Sequence, residues 1–175
     1  APDLTILAEH VTEGGIIEMA YQEEPLAIIW CVRNDGELVA LTYQREQQVV
    51  AWHRHVFAGA FGSGNAVCES VAVIPTEDSE YELYMIIKRT INGATKRYVE
   101  FLNTFDFDET DNTSFNFLDS QLSYSGSPAT TISGLSHLEG LTVSILADGA
   151  THPDKTVSSG SITLDRSASD VKVGL

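Results

Sequence analysis

His53 and His55 flank Arg54, and a spacing of two residues places both imidazoles on one face of a β-strand. Two imidazoles so placed can share a metal ion. A third ligand would have to come from His10, His137, His152 or a carboxylate, and the sequence brings none of these to the pair. The plainer reading is a polar strand end, suited to a subunit contact. Asp106, Asp108, Glu109 and Asp111, with Asp119 further on, are the second cluster, and clustered carboxylates are what a hard cation such as calcium binds. The EF-hand pattern fails, however: Asp111 stands where that loop needs glycine, and Phe117 where it needs the bidentate glutamate. These acids read as a solvated linker. Cys31 and Cys68 each lie in an apolar run and read as buried free thiols. Gly62, Ser63 and Gly64 are not followed by the lysine and helix of a phosphate loop. The serines form neither a Gly-x-Ser-x-Gly elbow nor a defensible triad order. No catalytic, cofactor-binding or metal-binding residue is assigned.

The bulk numbers narrow the class. The chain has 175 residues, of which 43% are hydrophobic, enough for one large or two small packed domains. With 25 acidic and 10 basic residues the formal net charge is −15. Such a surface repels phosphate backbones and anionic membranes. No apolar run approaches the ~20 residues that span a bilayer. Because the chain starts at Ala1 and stops directly after the strand-like run 170–175, it reads as a piece of a longer polypeptide.

The elements that must position these residues are strands. Residues 28–33 and 38–43 are apolar, β-branched and aromatic runs around Asn34, Asp35 and Gly36, a strong hairpin signal. Residues 81–89 and 95–101 repeat the pattern around Asn92 and Gly93. Between them lie strand-like runs at 49–55 and 68–74, the second reading as a central strand covered on both faces. Residues 58–65 read as a flexible loop, 16–21 as a short strand and 4–10 as an edge or exchanged strand. Composition changes at Asn103. Beyond it come short Ser/Thr-rich runs at 115–119, 122–124, 130–133, 141–146, 161–164 and 171–173, with turns at Asp148, Gly149, Ser159 and Gly160 and a helical turn at 135–140. The expected architecture is all-β. A blade-like domain of antiparallel meanders and hairpins spans 1–103, an acidic linker 104–114, and a small β-sandwich or barrel 115–175.

Residues 30–38, 41–55, 69–75 and 88–93, and above all the run Trp52, His53, Arg54, His55, resemble segments of bacteriophage and prophage tail proteins of the tail-nozzle or tail-tubular-protein-B kind. Residues 118–126, 134–140 and 143–149 are similar to the same proteins. The resemblance covers about residues 4–175. It implies a structural virion protein of the phage tail, made in the bacterial cytoplasm. Its partners would be sibling copies in a ring and other tail proteins. It implies no enzymatic activity, no cofactor, no small-molecule substrate and no stable nucleic-acid or membrane binding. The competing expectation is a carbohydrate- or receptor-binding β module, calcium-dependent if Asp106, Asp108 and Asp111 hold the ion.

Overall fold

Alternating apolar residues give most of this chain one face that avoids water, and the strands they form pair only with antiparallel neighbours. The computed structural model describes residues 3–77, 81–103 and 112–175. Two compact units arise: Ala1–Arg89 with Lys96–Leu102, and Thr90–Thr95 with Asn103–Leu175. The expected linker falls largely outside the described residues, with Asp106, Asp108, Glu109 and Asp111 among those not described; Asn112–Ser114 forms a single 3-10 turn.

The first unit is built on two four-stranded meanders. One runs β1 (Ile16–Gln22), β2 (Ile28–Arg33), β3 (Leu38–Gln44) and β4 (Val49–His55); the other runs β5 (Phe57–Phe61), β6 (Gly64–Pro75), β7 (Tyr81–Ile91) and β8 (Ala94–Phe101). Their inner faces share one core, in which Trp30, Val32, Leu38 and Ala40 of the first meander meet Phe57, Cys68, Val71, Leu83, Met85 and Ile87 of the second. Burying each such large side chain is worth ~1.5–3 kcal/mol. Cys31 and Cys68 are free, buried thiols.

The two hairpins form as expected, with different turns. At β7–β8, Asn92 and Gly93 both take positive φ (48° and 72°), as a two-residue turn requires. At β2–β3 only Gly36 does (84°); its N–H donates to the Arg33 carbonyl, and the Arg33 N–H to that of Glu37, both at 2.9 Å. Gly36 is required twice over. A Cβ there would lie 2.5 Å from that of Val67, while its carbonyl accepts the Cys68 N–H at 2.8 Å. This contact fastens the first hairpin to β6.

Three expectations for this unit need correction. Residues 4–10 are not a strand: Asp3 Oδ1 accepts from the Thr5 N–H (2.8 Å) and hydroxyl (2.7 Å), turning the chain into a short helix α1 (Glu9–Thr12). The helix covers the outer face of the first meander, where Val11 packs with Cys31 and Val39. Residues 58–65 are not a flexible loop, for Phe57 and Phe61 bracket strand β5, and Gly62 (φ 61°) makes the tight turn into β6. Nor is β6 covered on both faces: Val71 is buried, whereas Ala72 and Ile74 are exposed.

The second unit is one curled sheet, ordered β11–β10–β12–β9, from β9 (Leu122–Ser133), β10 (Thr142–Ala147), β11 (Ala150–Thr156) and β12 (Ser161–Gly174). Its concave side encloses Ile132, Leu135, Leu138, Val143, Ile145, Ile162, Leu164, Val171 and Val173. The expected runs 161–164 and 171–173 are thus a single strand. Register shifts between Thr163 and Asp170 interrupt it. Asp148 accepts the backbone N–H groups of Ser169 (2.8 Å) and Asp170 (2.9 Å) there, which holds its carboxyl below the usual range. Residues 115–119 are no strand; Asp119 exchanges backbone hydrogen bonds with Leu175 (3.1 and 2.9 Å). The helical turn appears at Ser136–Leu138, and Asp148, Gly149, Ser159 and Gly160 take positive φ as turns.

One buried ion pair ties β5, β7 and β8. Arg89 is 0% exposed; its Nε donates to the Ala58 carbonyl at 2.9 Å, and its two terminal nitrogens grip the Glu100 carboxylate. Removing one partner strands a charge in the core. We expect Glu100→Ala to lower the unfolding free energy by about 3–5 kcal/mol, and the double variant Glu100→Ala/Arg89→Met to recover part of that loss. Urea unfolding checks both, and a single-variant loss under ~1 kcal/mol would contradict the burial assigned to this pair.

Candidate functional site

β4 lies at the edge of its meander, paired only with β3, with His53 opposite Ala40 and His55 opposite Leu38. Both histidines are therefore turned toward the core side and half-buried, while Arg54 points outward. The strand end is polar as expected, but it presents Arg54 to solvent and turns its imidazoles inward. His53 Nδ1 and His55 Nε2 are 2.8 Å apart, and His53 Nε2 lies 3.1 Å from Thr42 Oγ1. The two rings pack on Trp30, with centroids 6.2 and 5.1 Å from it. Trp30 is held in turn by Gln22, whose Oε1 accepts the indole N–H at 2.8 Å. Of the two facing nitrogens one must donate and the other accept, so the pair cannot keep this bond with both rings fully protonated. Burial also pushes the His53 pKa down.

The candidate third ligands do not join this pair to make a metal centre. His10 is in α1. In the second unit, His137 Nε2 is 3.0 Å from the Ser120 carbonyl. His152 is buried, with Nε2 accepting the Asp165 N–H at 2.9 Å and Nδ1 2.8 Å from the Pro153 carbonyl. Among the described residues no three His, Cys, Asp or Glu side chains converge as metal ligands.

A cleft of about 710 Å³ opens in the first unit between the β2–β3 turn and the β5–β6 end, and His55, Phe61, Glu69 and Lys88 line it. Ion pairs occupy its walls. Arg33 meets Asp35 (2.5 Å) and Glu37 (3.0 Å), and Glu37 also meets Arg54 (2.5 Å). Glu69 meets Arg97 and Lys88, both at 2.6 Å, and these hydrogen bonds, Arg97 first, hold its carboxyl down to about 2. The sequence hid Glu69 because it occupies a β-bulge: Cys68 pairs with Ile87 and Ser70 with Ile86, leaving Glu69 the extra residue. Cys68 also lines the cleft, yet burial pushes its thiol up to about 12, so it keeps its proton and is a poor nucleophile at neutral pH. Gly62 to Gly64 is a hairpin turn at this end and offers no helix terminus to an anion.

The remaining surface feature is apolar. On β1, Ile17, Met19 and Tyr21 are 61%, 65% and 57% exposed; on β8, Val99 and Phe101 are 72% and 54% exposed. The Phe101 ring lies 5.9 Å from that of Tyr84, beside the exposed Ile86 of β7 and Ile74 of β6. Sequence reading placed these residues on strands but could not tell which face each strand would leave uncovered. No family model matches the chain, and no curated protein matches it.

The histidine pair generates a pH dependence. An unfolded His53 titrates near 6.5 and the folded one lower, so over that interval the unfolded state binds more protons. Stability is complete above the unfolded value and falls as pH drops from about 6.5 toward the folded pKa. His53→Gln should flatten this slope. Urea midpoints measured between pH 7.5 and 5 check it, and equal slopes in the two proteins would refute it.

Proposed function

We propose that the chain is a non-enzymatic structural component of a phage-type tail assembly, working through contacts with sibling copies and other tail proteins. The observation that carries this reading is the set of large apolar side chains left in water on β1 and on the β7–β8 face, while the charged groups around the cleft are engaged with one another. Exposed apolar surface rimmed by charge is what a protein contact uses. The reading also draws on the likeness of residues 30–38, 41–55, 69–75 and 88–93 to tail-nozzle proteins. An all-β frame of short antiparallel ribbons suits a load-bearing ring, since each strand is cross-linked along its length by its neighbours.

The acidic surface has a part in this function. With a net charge of −15, the protein lets a nucleic acid pass without holding it. Assembly would place the chain in the virion, after synthesis in the bacterial cytoplasm.

Two measurements test the proposal. Multi-angle light scattering across a concentration series should show weak, reversible self-association; an ideal monomer throughout would overturn the assembly reading. Fluorescence anisotropy with a labelled DNA duplex at low salt should show no binding, because neutralising phosphates needs a cationic patch that survives its acidic surroundings. Saturable, salt-sensitive binding would argue for a nucleic-acid-holding role instead.

A further inference from the structure

Three turns of the chain join an asparagine or aspartate to a glycine: Asp35–Gly36, Asn92–Gly93 and Asp148–Gly149. That pairing has a chemistry of its own. The glycine nitrogen can attack the carbonyl carbon of the preceding side chain, because glycine carries no Cβ to block the approach. The fold decides which of the three is open to the reaction.

Two are closed. Both Asp35 oxygens are engaged, Oδ2 by Arg33 at 2.5 Å and Oδ1 by the Glu37 N–H at 3.2 Å. The attacking nitrogen is engaged as well, since the Gly36 N–H donates to the Arg33 carbonyl at 2.9 Å. Asp148 Oδ1 accepts from the N–H groups of Ser169 and Asp170, which keeps that group ionised, and a carboxylate is a poor electrophile. Gly149 is also crowded, with Asn112 Cβ 3.0 Å from where its own Cβ would lie.

Asn92 differs on each count. It is the one asparagine in the chain followed by glycine, and its amide has no ionised form to protect it. Asn92 and Gly93 are both exposed. Beyond the chain neighbours of Gly93, no atom lies within 4 Å of a Cβ built on it. Among the described residues none hydrogen-bonds the Asn92 side chain.

We propose that Asn92 is a site of spontaneous covalent modification, converting to aspartate and isoaspartate at the tip of the β7–β8 hairpin. The Gly93 nitrogen attacks Asn92 Cγ. An N–Cγ bond forms, the Cγ–Nδ2 bond breaks, and ammonia leaves with the proton that the Gly93 nitrogen gives up. Water then opens the cyclic imide. Attack at Cγ gives aspartate; attack at the backbone carbonyl gives isoaspartate, whose main chain runs through Cβ and Cγ. Both products carry a new carboxylate, but only isoaspartate lengthens the backbone. A two-residue turn closes because both its residues take left-handed angles, and an added main-chain carbon spoils that fit. The strands it joins carry Lys88 and Arg89 on one side and Arg97 and Glu100 on the other. Their register sets both the Arg89–Glu100 pair and the Glu69 bridge between Lys88 and Arg97. The inference stands apart from the assembly reading.

Peptide mapping of the folded full chain, held for days in mildly alkaline buffer, is the experiment. Trypsin cuts after Arg89 and Lys96, so the peptide 90–96 reports on Asn92 alone. This peptide should show the mass shift of an amide-to-acid exchange and resolve into two products, while the peptides holding Asp35 and Asp148 stay single. Protein isoaspartyl methyltransferase should label the aged wild type but not Asn92→Gln, whose longer side chain closes its ring far more slowly. Asn92→Asp supplies the charge without the added carbon. It should keep the urea midpoint of fresh wild type, whereas the aged, converted chain should unfold at lower urea.

A peptide 90–96 that stays unchanged in the folded chain overturns the proposal. Conversion at Asp35 or Asp148 as fast as at Asn92 overturns the protection assigned to their contacts. Equal urea midpoints for the converted chain and Asn92→Asp overturn the link to the hairpin's register.

Discussion

Each meander of the first unit has one face that cannot be left in water, and neither can bury it alone. Closing the two on each other is the constraint from which the rest follows. It sets Trp30 and Leu38 against Leu83 and Ile87. It also demands that the β2–β3 turn come within contact of β6, which is why Gly36 tolerates no side chain. Polar groups caught in the closure had to be satisfied on the spot: Gln22 holds the Trp30 indole, Glu18 accepts from the Ser70 hydroxyl at 2.9 Å, and Glu100 neutralises Arg89.

The ionisable residues make sense in that light. The histidine pair leans on Trp30 because β4 is an edge strand whose inner side chains still overlap the core. The cleft charges pair across strands and turns, linking Glu37 to Arg33 and Arg54, and Glu69 to Lys88 and Arg97. These contacts hold a sheet together while the remaining acids keep it dispersed in water. What they leave over is apolar, and it lies on β1 and on the outer side of β7 and β8.

Sequence made the all-β class and both hairpins legible, because Asn-Gly and Asp-Gly between β-branched runs leave the backbone few alternatives. It also placed the turns at Asp148–Gly149 and Ser159–Gly160. It failed where side chains acted on backbone at short range, as when Asp3 bent residues 4–10 away from a strand. It failed again where a strand was irregular. The runs 161–164 and 171–173 read as separate, but they are one strand, in which Asp148 Oδ1 accepts from the N–H groups of Ser169 and Asp170 at the register shift. The histidine pair was visible as a spacing, whereas its seat on Trp30 was not, since that depends on which face of an edge strand turns inward. The acidic run 106–111 lies outside the described residues.

The bulge at Glu69 has an architectural outcome of its own. Before it the even-numbered residues Ala66 and Cys68 face the core; after it the odd-numbered Val71 and Val73 do. The strand is thus two half-strands in opposite phase, joined by one surplus residue. Losing that residue would invert the second half, sending Ala72 and Ile74 inward and Val71 outward. At this point the length of the chain is a stricter inheritance than its chemistry: glutamate can be exchanged at the cost of its ion pairs, but the position itself cannot be deleted without turning a layer of the sheet inside out.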